Sequence, residues 1–272
     1  MLTDAHCHPF DLVHAFPQAE QERRKLRILA AASACTQKEF LHNETLAHNA
    51  AADSVAPLLP CFGLHPQLPA VRAAEGNPFP ETEINESLEF MHSLAQAGRL
   101  SAIGECGFDL YNAAFKETEA IQDRLFSAQA EISLRYDLPL VIHVRRAIHK
   151  TFNLTDLLLK CKSVIFHSWS GTFEEAQSLM RRGVNAYFSF GNVIALNHKQ
   201  AMRTCTLLPI ERLLTETDAP FQPHRGMDFS QWADLPLIIE TAAELRCEAG
   251  NKIDAKNLEA RIEKNFRTAF GL

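Results

Sequence analysis

Seven ionisable residues of this chain sit at the ends of short apolar runs. They are His6 and His8 in Asp4-Ala5-His6-Cys7-His8, His65 in Gly63-Leu64-His65-Pro66, Glu105 in Ile103-Gly104-Glu105-Cys106-Gly107, His143 after Leu140-Val141-Ile142, His167 in Phe166-His167-Ser168, and Asp218 in Glu216-Thr217-Asp218-Ala219-Pro220. Alternate residues of a strand share a face, so His6 and His8 point one way and Cys7 the other. Imidazoles and carboxylates without thiolate partners suit divalent ions such as Mg2+, Mn2+ or Zn2+. The set points to two such ions, bridged by a carboxylate at a separation of roughly 3.5–4 Å. Glu105, central in the strand order, is read as the bridge. His6, His8 and Asp218 complete one metal, and His143 and His167 the other. An ion pair of this kind makes a water more acidic and clamps the two oxygens of an in-line displacement. Asp218 is read as the general base that takes the proton from that water.

Taken singly, each residue is equally a loop hydrogen-bonder, and Asp218 before Ala219-Pro220 equally a turn cap. The reading rests on all seven falling on one rim. His14, His42, His48, His92, His149 and His198 lie in helical or loop segments and are assigned no role.

The elements that would build that rim follow from the apolar pattern. Strands are expected at Leu2–His6, Leu26–Ala32, Leu58–Gly63, Ser101–Glu105, Leu138–His143, Ser163–His167, Asn185–Phe190 and Leu213–Asp218. Such short, bounded apolar runs suit a parallel sheet covered by helices. Thr172-Phe173-Glu174-Glu175 is a capping box ahead of a stripe of Ala176, Leu179 and Met180, closed by Gly183. Thr82 to Gly98 carries Ile84, Leu88, Met91 and Ala95 on one helical face. Helices are also expected at Glu119–Arg135, Asp156–Lys162, Trp232–Arg246 and Ala255–Phe270, and a loop from Arg72 to Pro80. The count gives a single-domain, TIM-like (β/α)8 barrel, in which the C-terminal strand ends converge on one mouth. An open doubly wound sheet is the runner-up, but Cys7-His8-Pro9-Phe10 is no glycine-rich phosphate turn.

Composition sets the surroundings. The 272 residues are 46% hydrophobic and 22% charged, with a net charge of −6. That balance argues against holding nucleic acid through a broad basic surface, though not against an enzyme whose ions supply local positive charge. The seven cysteines are scattered and form no CxxC pair. They read as reduced, mostly buried thiols, with Cys7 and Cys106 packed under the helices. With no signal peptide and no apolar run long enough to span a bilayer, the expectation is a cytoplasmic, soluble protein with no membrane partner and no obligate protein partner.

Together the motifs resemble the TatD family of metal-dependent hydrolases in the amidohydrolase superfamily. The matching pieces are Asp4-Ala-His-Cys-His8, Gly63-Leu-His-Pro66, Ile103-Gly-Glu-Cys-Gly-Phe-Asp109, Ile142-His-Val-Arg-Arg-Ala147, His167-Ser-Trp-Ser-Gly171, Leu214-Thr-Glu-Thr-Asp-Ala-Pro220 and the terminal Asn265-Phe266 with Phe270-Gly271. The resemblance implies a TIM-like barrel, a two-metal site on the ligands named above, and deoxyribonuclease activity, often 3′→5′ action on single-stranded DNA ends or short oligonucleotides. It also implies that His65 contacts the scissile phosphate and that Arg145 positions it or holds the metal shell. Glu105 stands where many binuclear relatives in the superfamily carry a carboxylated lysine.

This chain departs from the family at two places. Arg146 replaces a common acidic residue and is read as an added phosphate contact. Trp169 replaces phenylalanine, with two readings open: a stacking surface for a base, or packing at the top of the barrel. Whether His224 and Arg225 reach the substrate is left open. The alternative chemistry on the same metals is hydrolysis of an amide, lactone or aminoacyl ester, since barrels host many reactions. A non-catalytic scaffold with a relict site is a third reading, disfavoured because every expected ligand is present.

Overall fold

The computed structural model describes residues 1–272. Eight parallel strands follow one another in chain order: β1 (Thr3–Cys7), β2 (Leu29–Ala32), β3 (Leu58–Phe62), β4 (Ala102–Asp109), β5 (Leu140–Arg145), β6 (Val164–Phe166), β7 (Ala186–Phe190) and β8 (Leu213–Thr215). The seam between the last strand and the first is drawn together by backbone bonds just beyond the strand ends. Asp218 donates to the His6 carbonyl at 2.9 Å, and His8 donates to the Ala219 carbonyl at 2.8 Å. The architecture is the expected TIM-like barrel.

Two apolar layers explain why the strands read as continuous hydrophobic runs. Inside, all eight strands contribute: Ala5, Leu29, Ala31, Leu59, Cys61, Ala102, Val141, Ile165, Tyr187 and Leu214 pack together. Phe266, Ala269 and Phe270, from the terminal helix Ala255–Phe270, join this layer. Outside, Phe62, Ile103, Leu140, Ile142, Phe166 and Phe188 pack against helical residues such as Met91, Phe126 and Leu179.

Two register irregularities matter for the site. Along β1, Asp4 pairs with Ala30 but Cys7 pairs with Ala32, so three steps on one strand match two on the other. Along β4, Ile103 pairs with Leu140 and Cys106 with Ile142, the same mismatch. Each is a bulge, and a bulge re-aims a side chain. Ala5 faces the barrel interior and Cys7 packs outward with Leu12 and Trp232. The bulge lets His6, between them, also turn toward the mouth. Glu105 is turned in the same way between outward-facing Ile103 and Cys106. Gly63 supports this arrangement, since a Cβ there would lie 2.5 Å from the Glu105 carbonyl oxygen.

Several boundaries differ from the sequence reading. β4 runs on to Asp109 and β5 to Arg145, both past the expected ends. The stretch read as a loop from Arg72 begins inside a helix, Leu68–Ala74, which has Pro69 in its first turn where no amide is needed. The helix expected at Asp156–Lys162 is a short one at Thr155–Leu158, preceded by another, unexpected, at Ile148–Asn153. The Thr151 and Thr155 hydroxyls donate back to the Ile148 and Phe152 carbonyls, a local alternative to regular helix. The capping box at Thr172 is present, with Glu175 N–H donating to its hydroxyl at 3.1 Å and the Glu175 carboxylate accepting from Thr172 N–H at 2.6 Å. No helix is long and apolar enough to cross a membrane.

Candidate metal centre

The strand ends bring six of the seven predicted residues onto Glu105 or its neighbours. Glu105 is buried, and its two oxygens face different groups. Oε2 lies 3.1 Å from His6 Nε2 and 3.6 Å from His8 Nε2. Oε1 lies 2.8 Å from both His143 Nδ1 and His167 Nε2, and 3.1 Å from His65 Nε2. Asp218 completes the first side, with Oδ1 at 3.6 Å from His6 Nε2 and 3.5 Å from His8 Nε2.

These spacings suit cations. Ring nitrogens converge in pairs, His6 Nε2 on His8 Nε2 at 3.0 Å and His143 Nδ1 on His167 Nε2 at 3.2 Å. Donors bound at about 2.0–2.2 Å to one ion stand roughly 3–3.5 Å apart, so the donor spacing matches a shared coordination shell. Asp218 Oδ1 is buried and takes no hydrogen bond, as expected of an atom reserved for a cation or a reacting proton. Ligand atoms within 4.8 Å of one another fall into His6, His8 and Asp218; His6, Glu105 and His167; and His65, Glu105 and His143.

Surrounding hydrogen bonds set the role of each ring. His143 Nε2 lies 3.1 Å from Asp109 Oδ2, so its proton goes to that carboxylate and the Nδ1 lone pair faces the centre. Asp109 is held in turn by Gln67 Nε2 at 2.6 Å. His65 is the opposite case. Its Nδ1 accepts from Gln67 N–H at 3.2 Å, which leaves the proton on Nε2, aimed at the centre. In that tautomer His65 is a donor to an anion, in keeping with the phosphate contact expected of it. Asp218 is steadied through Oδ2, which accepts from Gln222 Nε2 at 2.6 Å. Asp4 ties the two sides of the seam together. Its Oδ1 accepts from the backbone of His6 and Thr217 at 3.2 and 3.0 Å, and its Oδ2 from the Thr217 hydroxyl at 2.6 Å.

Electrostatics follow from burial opposed by charge. Burial raises the Glu105 carboxyl, but the imidazoles of His167, His65 and His6 outweigh it and hold the group well below the usual range. Asp218 is likewise raised by burial and lowered further by His8, His167 and His6, so it stays ionised. Burial lowers His6 and His65. For His8, His143 and His167 burial also lowers the ring, but the facing carboxylates win and raise it, strongly so for His167 beside Glu105 and Glu216. Asp4 has burial as its largest influence and is pushed up to about 8.

The remaining assignments divide. Trp169 corrects one expectation: it is 2% exposed and packs edge-on against Phe166 and Phe188, so it offers no face to a base. Its ring fills the outer layer because β6 and β7 present Phe166 and Phe188 there. Arg145 and Arg146 are exposed beside the mouth, over the ring of Tyr111. His224 and Arg225 make no hydrogen bond to any of the ligand residues. Sequence reasoning assigned no role to Asp109, Asp4, Glu216, Gln67 or Gln222. Asp109 reaches His143 only because β4 continues past its expected end at Glu105 to lie beside β5. The others depend on contacts between distant segments.

A (β/α)8 barrel whose strand ends gather imidazoles and carboxylates around one buried glutamate defines a metal-dependent hydrolase. Comparison with known proteins narrows the class. The chain belongs to the TatD related DNase family, whose model matches residues 3–271. Among curated relatives, the 3′-5′ ssDNA/RNA exonuclease TatD of Enterobacter lignolyticus is 34% identical over 196 residues, which span 69% of this chain and 72% of that protein. The enzyme of the same name from Escherichia coli is 31% identical over 193 residues, 68% of this chain and 71% of the relative. The crystal structure of YjjV, a TatD homologue from Escherichia coli, superposes with a TM-score of 0.80 over 100% of this chain and 98% of that one. At 23% identity, that likeness establishes the fold.

Proposed function

We propose that this protein is a two-metal exonuclease that shortens single-stranded DNA or RNA from the 3′ end. The observation that carries the proposal is Glu105, whose two oxygens are divided between the His6–His8 side and the His143–His167 side. His6, His8, Asp218 and Glu105 would hold one divalent ion, and Glu105, His143 and His167 the other, with Mg2+, Mn2+ and Zn2+ as the candidates. Ions held there would supply Lewis-acid polarisation of the phosphate and a more acidic water.

The chain's own groups do the rest. Asp218, ionised and with Oδ1 unengaged, accepts the proton of the attacking water. Gln222 fixes the other oxygen, so Oδ1 keeps its aim. His65 donates from Nε2 to a non-bridging oxygen of the scissile phosphate, and Arg145 and Arg146 hold the strand at the rim. The relatives named for single-stranded DNA and RNA exonuclease action support this substrate class. A cytoplasmic setting fits such a substrate and the free thiols.

The test uses metal-loaded protein and single-stranded DNA labelled at its 5′ end. A ladder of products shortened stepwise from the 3′ end is expected, abolished by chelator. Matched assays on carboxylic esters, lactones and amides should run far more slowly. Rapid ester or amide turnover with intact DNA would overturn the nuclease reading and favour the alternative chemistry.

A further inference from the structure

Arg145 and Arg146 are adjacent cations, yet both come together on one aromatic ring. The Arg145 guanidinium carbon lies 3.7 Å from the Tyr111 ring centroid, and that of Arg146 lies 4.7 Å from it. Neither guanidinium forms an ion pair with a carboxylate, in contrast to Arg72 with Glu83 and Arg99 with Glu44. Arg146 adopts φ of +54°, a left-handed conformation that a non-glycine residue occupies only at a cost of order 1–3 kcal/mol. Tyr111 is 43% exposed, and the Leu110 amide before it donates to the Arg145 carbonyl at 2.9 Å. The ring is therefore tied to the end of β5 through the backbone of the residue before it.

Two like charges gathered without a counter-ion, in a protein of net charge −6, mark a place for an anion from outside. Its location follows from β5. Arg145 is two residues beyond His143 on the same strand and face, about 7 Å further out at the usual rise per residue. That is the order of the step between successive phosphates along a strand.

We propose that Arg145, Arg146 and Tyr111 form a subsite for the phosphate next to the scissile one. Arg145 and Arg146 touch that phosphate, and Tyr111 is a positioning residue on whose ring both guanidiniums pack. The subsite makes a strand with at least one further phosphate the preferred substrate, rather than an isolated phosphodiester. The inference rests on the nucleic-acid reading above, and deepens it.

Equilibrium binding separates the two. Anisotropy of a fluorescent single-stranded oligonucleotide is measured across a salt series in chelator, where turnover is absent. Arg146→Ala should weaken binding about tenfold and lower the slope of log K against log salt by about 1, the signature of one lost phosphate contact. Tyr111→Leu, which removes no charge, should weaken binding similarly, and Tyr111→Phe should restore it. Replacing the flanking linkage by an uncharged methylphosphonate should weaken wild-type binding and leave Arg146→Ala nearly indifferent. Affinities of Arg146→Ala and Tyr111→Leu within twofold of wild type would overturn the subsite, as would indifference of the wild type to the methylphosphonate. Stepwise 3′ shortening of labelled single-stranded DNA by the metal-loaded wild type decides separately whether the nuclease reading stands.

Discussion

The two sides of the centre are built differently. The His6, His8 and Asp218 side lies at the seam where β1 meets the loop after β8. Its three side chains are at most 9% exposed. Backbone bonds from Asp218 to His6 and from His8 to Ala219 lock its ligands to one another, with Asp4 beneath them. On the side of β3, β5 and β6, His65 and His143 are 16% and 15% exposed. There His143 is oriented by the Asp109 carboxylate, itself held by the Gln67 side chain, and His65 by the Gln67 amide. The drier side is fixed by closure of the barrel. On the other side only His65 and His143 reach solvent, His167 being 4% exposed.

This contrast can be broken at its common point. Glu105→Ala removes the one group both sides share, so metal content should fall on both and turnover should drop by on the order of 10⁴-fold. Metal analysis alongside kcat checks it, and near-normal metal content with normal kcat would refute the bridge.

A paired experiment sharpens the contrast. Asp109→Asn keeps the shape but weakens the hold on His143 Nε2, and such changes typically cost about 10–100-fold in metal affinity. The loss should be confined to one of two binding events in a calorimetric titration. Asp218→Asn should instead weaken the other event and lower kcat by roughly 10²–10⁴-fold through loss of the base. Equal effects of both substitutions on both events would show that the sides are not distinct.

The smallest effect concerns the thiols behind the ligands. Burial pushes Cys7 and Cys106 far up, and Cys61 and Cys205 up to about 12. A raised thiol keeps its proton until the pH exceeds the raised value, so at pH 8 these four carry almost no reactive thiolate. Exposed Cys247 should alkylate quickly with iodoacetamide, with activity retained, and mass spectrometry of the peptides reads the order. Fast labelling of Cys7 would mean that the seam side opens readily in solution.

The barrel, and the convergence of the titratable strand ends on one centre, were legible because both are written in local pattern. Runs such as Pro139-Leu140-Val141-Ile142 buried on both faces, each ending in a titratable residue, leave few other arrangements. Trp169 was not legible, since an indole beside a histidine looks the same whether it faces the mouth or packs on Phe188. Nor was the backing of His143 by Asp109, which depends on β4 continuing past Glu105 to lie beside β5.

By itself, then, the sequence determined which atoms can bind cations and that they lie at strand ends, because side-chain chemistry and strand periodicity are local properties. Tertiary structure decided where those atoms point. Simple alternation from Ala5 would turn His6 away from the mouth, and alternation through Ile103 would do the same to Glu105. The bulges of β1 and β4 reverse both. A bulge exists only in the register between two strands, and no single stretch of chain specifies that register.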